Sequence, residues 1–164
     1  MAAGHILYAG DEYFHRAGVL RAADYEVEEC HTLPELEAWF QAGRFTDLIC
    51  VSESPHRPAE ELLRVAHTFA SSPVVLFRAT PHQYRERIWD FEVGPLTLPG
   101  VWLAEVAELV SWSQAIQAKS AEMRNASLQL RAACEALRQR SLDLRAQVRR
   151  QRDAGGGQGS DRGD

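Results

Sequence analysis

The stretch "DLICVSES", residues 47–54, decides the fold. Asp47 opens it, Leu48 to Val51 form an apolar run too short for a helix, and Ser52, Glu53 and Ser54 stop it before Pro55 and Pro58. A run of this kind, bounded by turn residues, predicts a strand buried on both faces. Its last side chains must emerge at a surface, which makes Ser52 the first residue to question.

The same pattern repeats on both sides. "HILYAG" (5–10) reads as a strand that halts at Asp11 and Glu12, and from Tyr13 to Asp24 the apolar residues Phe14, Ala17, Val19 and Leu20 fall at helical spacings. "DYEVEE" (24–29) returns to a strand pattern around Val27. Thr32 stands where an N-cap would, with Glu35 three residues on, and "LPELEAWFQAGRF" places Leu33, Leu36, Trp39 and Phe40 on one face of a second helix ending near Gly43. Beyond the opening stretch, "PAEELLRVAHTFA" (58–70) predicts a third helix, "PVVLFRA" (73–79) a fourth strand and "PHQYRERIWDFE" (81–92) a fourth helix. "GPLTLP" (94–99) reads as a fifth strand, which its two prolines make an edge or irregular one. Strands separated by helices imply right-handed crossovers and a parallel sheet covered on both faces. The expected class is α/β, a doubly wound five-stranded parallel sheet over residues 1–110. In such sheets ligands bind beyond the carboxyl ends of the strands, where the winding reverses.

Composition narrows the functional classes. At 164 residues with 45% apolar content the chain can bury one core of ordinary size. It has no apolar stretch near the roughly 20 residues that span a bilayer and no basic start leading into a long apolar segment. No membrane association and a cytoplasmic location are the expectations. Cys30, Cys50 and Cys134 are widely spaced and odd in number, and the six histidines show no ligand pairing, so neither a structural metal nor a cofactor is expected. Residues 1–110 hold 8 basic and 17 acidic side chains (−9), and residues 111–164 hold 10 and 6 (+4). An acidic half is followed by a basic one. Lys119 is the only lysine, which leaves none in the acidic half.

At its strand ends the sequence resembles the receiver domain of bacterial two-component response regulators, the phosphorelay proteins. In that family the first strand ends in acids, the third in the phospho-accepting aspartate, the fourth in Thr or Ser followed by Ala, and the fifth in Lys-Pro. "ILYAGDE" resembles the first element, with Gly10 in place of the first acid and Asp11 and Glu12 kept; "DLICVS" resembles the third, with Ser52 at the phospho-acceptor position. "PVVLFRA" resembles the fourth with Arg78 for the hydroxyl residue, and "LTLP" the fifth with Leu98 for the lysine. The family's chemistry needs a carboxylate nucleophile, a Mg²⁺ held by carboxylates, a lysine and a following hydroxyl. Only Asp11 and Glu12 remain, so the resemblance implies a pseudo-receiver with a degenerate pocket at Gly10, Asp11, Glu12, Ser52, Arg78 and Leu98. Serine without an adjacent base is a weak nucleophile, and Ser52 reads as a small polar residue closing its strand. Asp11 and Glu12 are weak metal candidates against solvated acids. Arg78 is either a surface arginine or the partner of Asp11 or Glu12, fixing the pocket in one state. No catalytic set can be assembled, so an enzyme is not expected.

From Val101 to Arg152 there is neither proline nor glycine, and one helix of that length would extend about 80 Å at about 1.5 Å per residue. Leu109, Ile116, Met123, Leu130, Leu137 and Leu144 recur every seven residues, the period of a coiled coil. The companion column, Val106, Ser113, Ser120, Ser127, Cys134, Ser141 and Val148, is small and partly polar, while Arg124, Arg131, Arg138 and Arg145 follow the seam by one residue. The expectation is a last helix extended into a coiled coil (101–152), followed by a disordered glycine-rich tail (153–164). A homodimer would face Cys134 against its twin if parallel and in register. Pairing with another signalling protein and folding back on its own domain are the competing arrangements. The arginines leave a further alternative, a transcription or antitermination regulator touching RNA or DNA, although neither a helix-turn-helix nor a set of stacking aromatics lies beyond Trp112. The favoured function is a phosphorylation-independent, response-regulator-like signalling or scaffold module.

Overall fold

The computed structural model describes residues 2–12, 14–56 and 59–155. The chain divides into two compact units, Met1–Gln117 and Ala118–Asp164. The first holds five strands, β1 (Gly4–Gly10), β2 (Tyr25–Cys30), β3 (Leu48–Ser52), β4 (Val74–Phe77) and β5 (Phe91–Val93), with helices α1 (Arg16–Ala22), α2 (Leu33–Gln41) and α3 (Glu60–Phe69). The last helix, α4 (Pro99–Gly155), begins in the first unit and supplies all the described residues of the second. All neighbouring strands pair in parallel in the order β2-β1-β3-β4-β5. This is the flavodoxin/CheY-like sheet, and its winding reverses between β1 and β3.

Strand alternation builds two cores. Ile6, Tyr8, Leu48, Cys50, Val75, Phe77 and Val93 face α1 and the start of α4, meeting Ala17, Leu20, Trp102, Val106 and Val110. Leu7, Ala9, Ile49, Val51, Val74 and Leu76 face the other way, against Leu36 and Trp39 of α2 and Leu63 and Ala66 of α3. Each fully buried side chain of this size contributes about 1.5–3 kcal/mol of hydrophobic stabilisation. At the opposite end of the sheet from the strand tips, Asp47 Oδ2 accepts the His5 backbone N–H at 2.9 Å and the Gln114 side-chain amide at 3.1 Å, tying α4 to β1 and β3. The capping expected of α2 is present: Thr32 Oγ1 accepts the Glu35 N–H at 3.4 Å, and the Glu35 carboxylate reaches back to the His31 N–H at 2.8 Å. That backbone bond holds the Glu35 carboxyl below the usual carboxylate range.

Two expected elements are replaced. Residues 81–90 form no helix, and the fifth strand is Phe91–Val93 rather than "GPLTLP". Asp90 N–H donates to Val74 O and Arg78 N–H to Val93 O, both at 2.8 Å, so "FEV" closes the sheet edge. The Asp90 carboxylate also takes the Val74 N–H at 2.7 Å. Tyr84, Ile88 and Trp89 of this stretch pack against the α2/α3 core. Pro99, assigned to a strand, is the first residue of α4, where a missing N–H costs nothing. Helix α1 starts at Arg16, because Phe14 and His15 take left-handed backbone (φ 62° and 52°). Tyr13, the expected start of that helix, and residues 156–164 of the tail lie outside the described residues, while 153–155 belong to α4. Among the described residues no helix is long and apolar enough to cross a membrane.

Candidate functional site at the strand tips

The carboxyl ends of β1, β3, β4 and β5 bring most of the expected pocket together. Gly10 pairs with Ser52 across the β1/β3 register. Its φ of +109° favours glycine, and a Cβ placed there would lie 2.4 Å from the Ser52 carbonyl oxygen. The acid that the family carries at this place therefore has no room in this backbone. Ser52 is 3% exposed, and its hydroxyl donates to the carbonyl of Glu53 at 3.4 Å. Asp11 and Glu12 are exposed, and Glu12 Oε1 accepts the Gly18 N–H at 3.4 Å. Among the described residues no group of three His, Cys, Asp or Glu is arranged to hold a metal. With Gly10 and Ser52 supplying no carboxylate and Glu12 turned to α1, the donor set does not fit a Mg²⁺ of the receiver kind.

Sequence reasoning missed the residue that organises the pocket. Glu53, next to Ser52, is fully buried. Its Oε2 accepts the N–H groups of Ala79 at 2.7 Å and Thr80 at 2.9 Å, with the Thr80 hydroxyl at 3.3 Å, and its Oε1 accepts the Tyr84 hydroxyl at 2.5 Å. Arg78 Nε lies 3.0 Å from the same Oε1, outside hydrogen-bonding alignment, so this contact is an ion pair. Burial would raise the Glu53 pKa, but the Tyr84, Ala79 and Thr80 bonds and the Arg78 charge outweigh it and hold the carboxyl below the usual range. Tyr84 is shifted the other way, upward, by burial and by its bond to the carboxylate.

Arg78 thus pairs with Glu53, not with Asp11 or Glu12. Its remaining nitrogens reach Glu92 at 3.1 Å, the Thr80 carbonyl at 3.0 Å and the His82 carbonyl. These bonds hold the backbone after β4 in an irregular path, a direct reason why the expected fourth helix does not form. Leu98 is not part of the pocket: it is 71% exposed, and its carbonyl accepts the Val101 N–H at the start of α4. With β5 at Phe91–Val93, the family's Lys-Pro step falls on Gly94-Pro95.

A second missed residue occupies that strand end. Arg16 is 4% exposed, and its guanidinium donates to the carbonyls of Arg78 and Gly94, each at 3.2 Å, while lying 4.6 Å from the Phe77 ring centroid. Among the described residues it forms no ion pair. Burial lowers its pKa, and the two carbonyls and the aromatic face compensate part of the desolvation. Beside it the Tyr8 hydroxyl is buried close to Ser52, and burial pushes its pKa up to about 12. A cavity of about 550 Å³ opens at the β1/β3 reversal, lined by Gly10, Asp11, Ser52 and Ser54 with His31 and the start of α3.

The coiled-coil column divides between the units. Leu109 packs against its own core together with Val106, and Ser113 is buried, so Leu109 is a domain residue rather than an interface one. Ile116 is 44% exposed in the first unit. In the second, Met123, Leu130, Leu137 and Leu144 and every other described side chain from 121 to 153 are exposed, Cys134 included.

No protein-family model matches the chain, and no curated protein matches it. Among solved structures, the N-terminal domain of a response regulator/sensory box/GGDEF three-domain protein from Carboxydothermus hydrogenoformans is 18% identical, with a TM-score of 0.54 over 68% of this chain and 97% of that one. The receiver domain of the hybrid histidine kinase CckA is 20% identical, with a TM-score of 0.50 over 65% and 99%. A yeast Spc42 trimeric coiled-coil segment fused to another structure is 19% identical, with a TM-score of 0.55 over 68% and 78%. At such identities the likeness is one of fold, and the chain is built on the receiver fold of response regulators.

Proposed function

We propose that the chain is a phosphorylation-independent, receiver-like signalling module whose C-terminal helix is its assembly element, a binding protein rather than an enzyme. The observation that carries this is the Glu53 carboxylate, saturated by Tyr84, Ala79, Thr80 and Arg78 where the family's switch would operate. A receiver switches when a new phosphoryl charge draws a hydroxyl and the following loop toward it. Here the loop after β4 already surrounds a permanent negative charge, and Arg16 supplies a permanent positive one at the β5 end. Gly10 and Ser52 supply neither nucleophile nor metal ligand.

The exposed heptad column of α4 supports assembly through a coiled coil, for which a pair of copies is the simplest form. Light scattering on the full chain and on a version ending at Gln117 tests this. A larger mass per chain for the full-length protein is expected, and equal association states would remove self-pairing as the form of assembly. The charge of Arg124, Arg131, Arg138 and Arg145 favours a second reading, contact with RNA or DNA, which requires retention on nucleic acid that weakens steeply with salt.

A further inference from the structure

We propose that residues 118–155 of α4 dock an acidic amphipathic helix of another protein in preference to a second copy of this chain. This rests on the coiled-coil reading above and names the occupant of that seam. Met123, Leu130, Leu137 and Leu144 stand 59%, 67%, 63% and 60% exposed, a row of large apolar side chains left uncovered. Each is followed by an arginine: Arg124, Arg131, Arg138 and Arg145. None of the four takes part in an ion pair among the described residues, and Arg124 donates only to the Ser120 carbonyl of its own helix.

Self-pairing leaves these charges unmet in either direction. In a parallel, in-register pair the flanking contacts are Lys119 with Arg124, Ala126 with Arg131, Ala133 with Arg138, and Arg140 with Arg145; no acid appears. In an antiparallel pair the arginine column faces its own copy. The segment as a whole carries nine basic and four acidic side chains, net +5. A helix with glutamates or aspartates on its flanks would meet all four arginines. Large apolar residues on that helix would fill the space beside Ser120, Ser127, Cys134 and Ser141, where two copies would set small against small. A nucleic acid would satisfy the charge but leave the Met123 to Leu144 row in water, since its own surface along the rod is phosphate.

The test uses the full chain and two synthetic heptad peptides with leucine at both seam columns, one with glutamate and one with lysine on the flanks. Anisotropy of the labelled peptides is read from low to high salt, alongside light scattering of the chain alone. The glutamate peptide is expected to bind, with affinity falling by about tenfold or more as salt screens the contacts, and the lysine peptide to fail. Salt should have the opposite effect on self-pairing, strengthening it by screening arginine from arginine. Replacing the four arginines by R124E, R131E, R138E and R145E together should invert the peptide preference, at exposed positions where glutamate keeps helix propensity. Equal binding of both peptides, or a salt-insensitive oligomer of the chain that takes up neither, would overturn the proposal and leave the assembly role intact. A chain that stays monomeric and binds neither peptide would remove both. Displacement of the glutamate peptide by a short nucleic-acid duplex at lower concentration would reassign the arginines to nucleic acid.

Discussion

Arg78 Nε lies 3.0 Å from Glu53 Oε1, across the tips of two neighbouring strands, and the carboxylate between them is fully buried. Glu53→Ala, which leaves the Ala79 and Thr80 N–H groups unmet and takes away the charge facing Arg78 Nε, is expected to destabilise the fold by about 3–5 kcal/mol in denaturant unfolding. Tyr84→Phe removes one hydrogen bond to a charged acceptor and should cost about 1.5–3 kcal/mol. Arg78→Ala tests the lock itself: if neither stability nor self-association changes, the pair fixes nothing.

Glu53 and Tyr8 are expected to shape stability at the two pH extremes. Glu53 has a depressed folded pKa, so the folded state binds fewer protons than the unfolded one in the acid range. Its stabilisation is complete above the unfolded carboxyl value of about 4.3 and is lost as pH falls through the folded value. Tyr8 is raised from 10.0 to about 12, so its contribution is complete below 10.0 and is lost as pH rises toward about 12. Denaturant midpoints across pH should form a plateau with two falling limbs. Glu53→Ala should flatten the acid limb and Tyr8→Phe the alkaline one; unchanged limbs would show that other groups govern them.

Gly10 makes a prediction about repair. Because its φ is +109° and a Cβ would press on the Ser52 carbonyl, Gly10→Ala is expected to destabilise by at least about 1–3 kcal/mol. Gly10→Asp, which places there the acid that receiver domains carry, should be no better tolerated and should gain no Mg²⁺-dependent stabilisation. A rise in melting temperature on adding Mg²⁺ to Gly10→Asp would mean that the backbone relaxes to accept the acid.

Cys134 reports the orientation of any self-pair. Oxidised mildly at high salt, where arginine repulsion is screened, a parallel in-register pair should give a disulfide-linked dimer on a non-reducing gel, abolished by Cys134→Ser. Monomer alone, at concentrations where light scattering reads a dimer, would exclude that register.

The sheet was legible because its strands are short apolar runs bounded by turn residues, and β1 to β4 fall on "HILYAG", "DYEVEE", "DLICVS" and "PVVLF". The edge was not. "YRERIWDFEV" has apolar residues at helical spacing and only three residues that enter the sheet, and the choice between the two is made by the bonds of Asp90 and Arg78 to β4 and β5, which no periodicity encodes. Misplacing β5 carried Leu98 into the pocket and Gly94 out of it. Ser52, Arg78 and Gly10 were found because they stand at strand ends, but Glu53 read only as part of the polar stop after its strand, and the apolar spacing of the first helix does not mark Arg16. The inward position of Arg16 is readable in hindsight, since it lies one turn before buried Leu20. The partners of Arg78 depended on which side of β3 the chain presents Glu53, a matter of tertiary packing.

Phosphorylation independence is tested most directly by incubating the full chain with acetyl phosphate and Mg²⁺ and measuring intact mass. The expected result is no mass gain of a phosphoryl group, with Glu53 tied by its four partners and no carboxylate at position 52. A phosphoryl adduct mapped to Asp11, Glu12, Ser52 or Glu53 would contradict it.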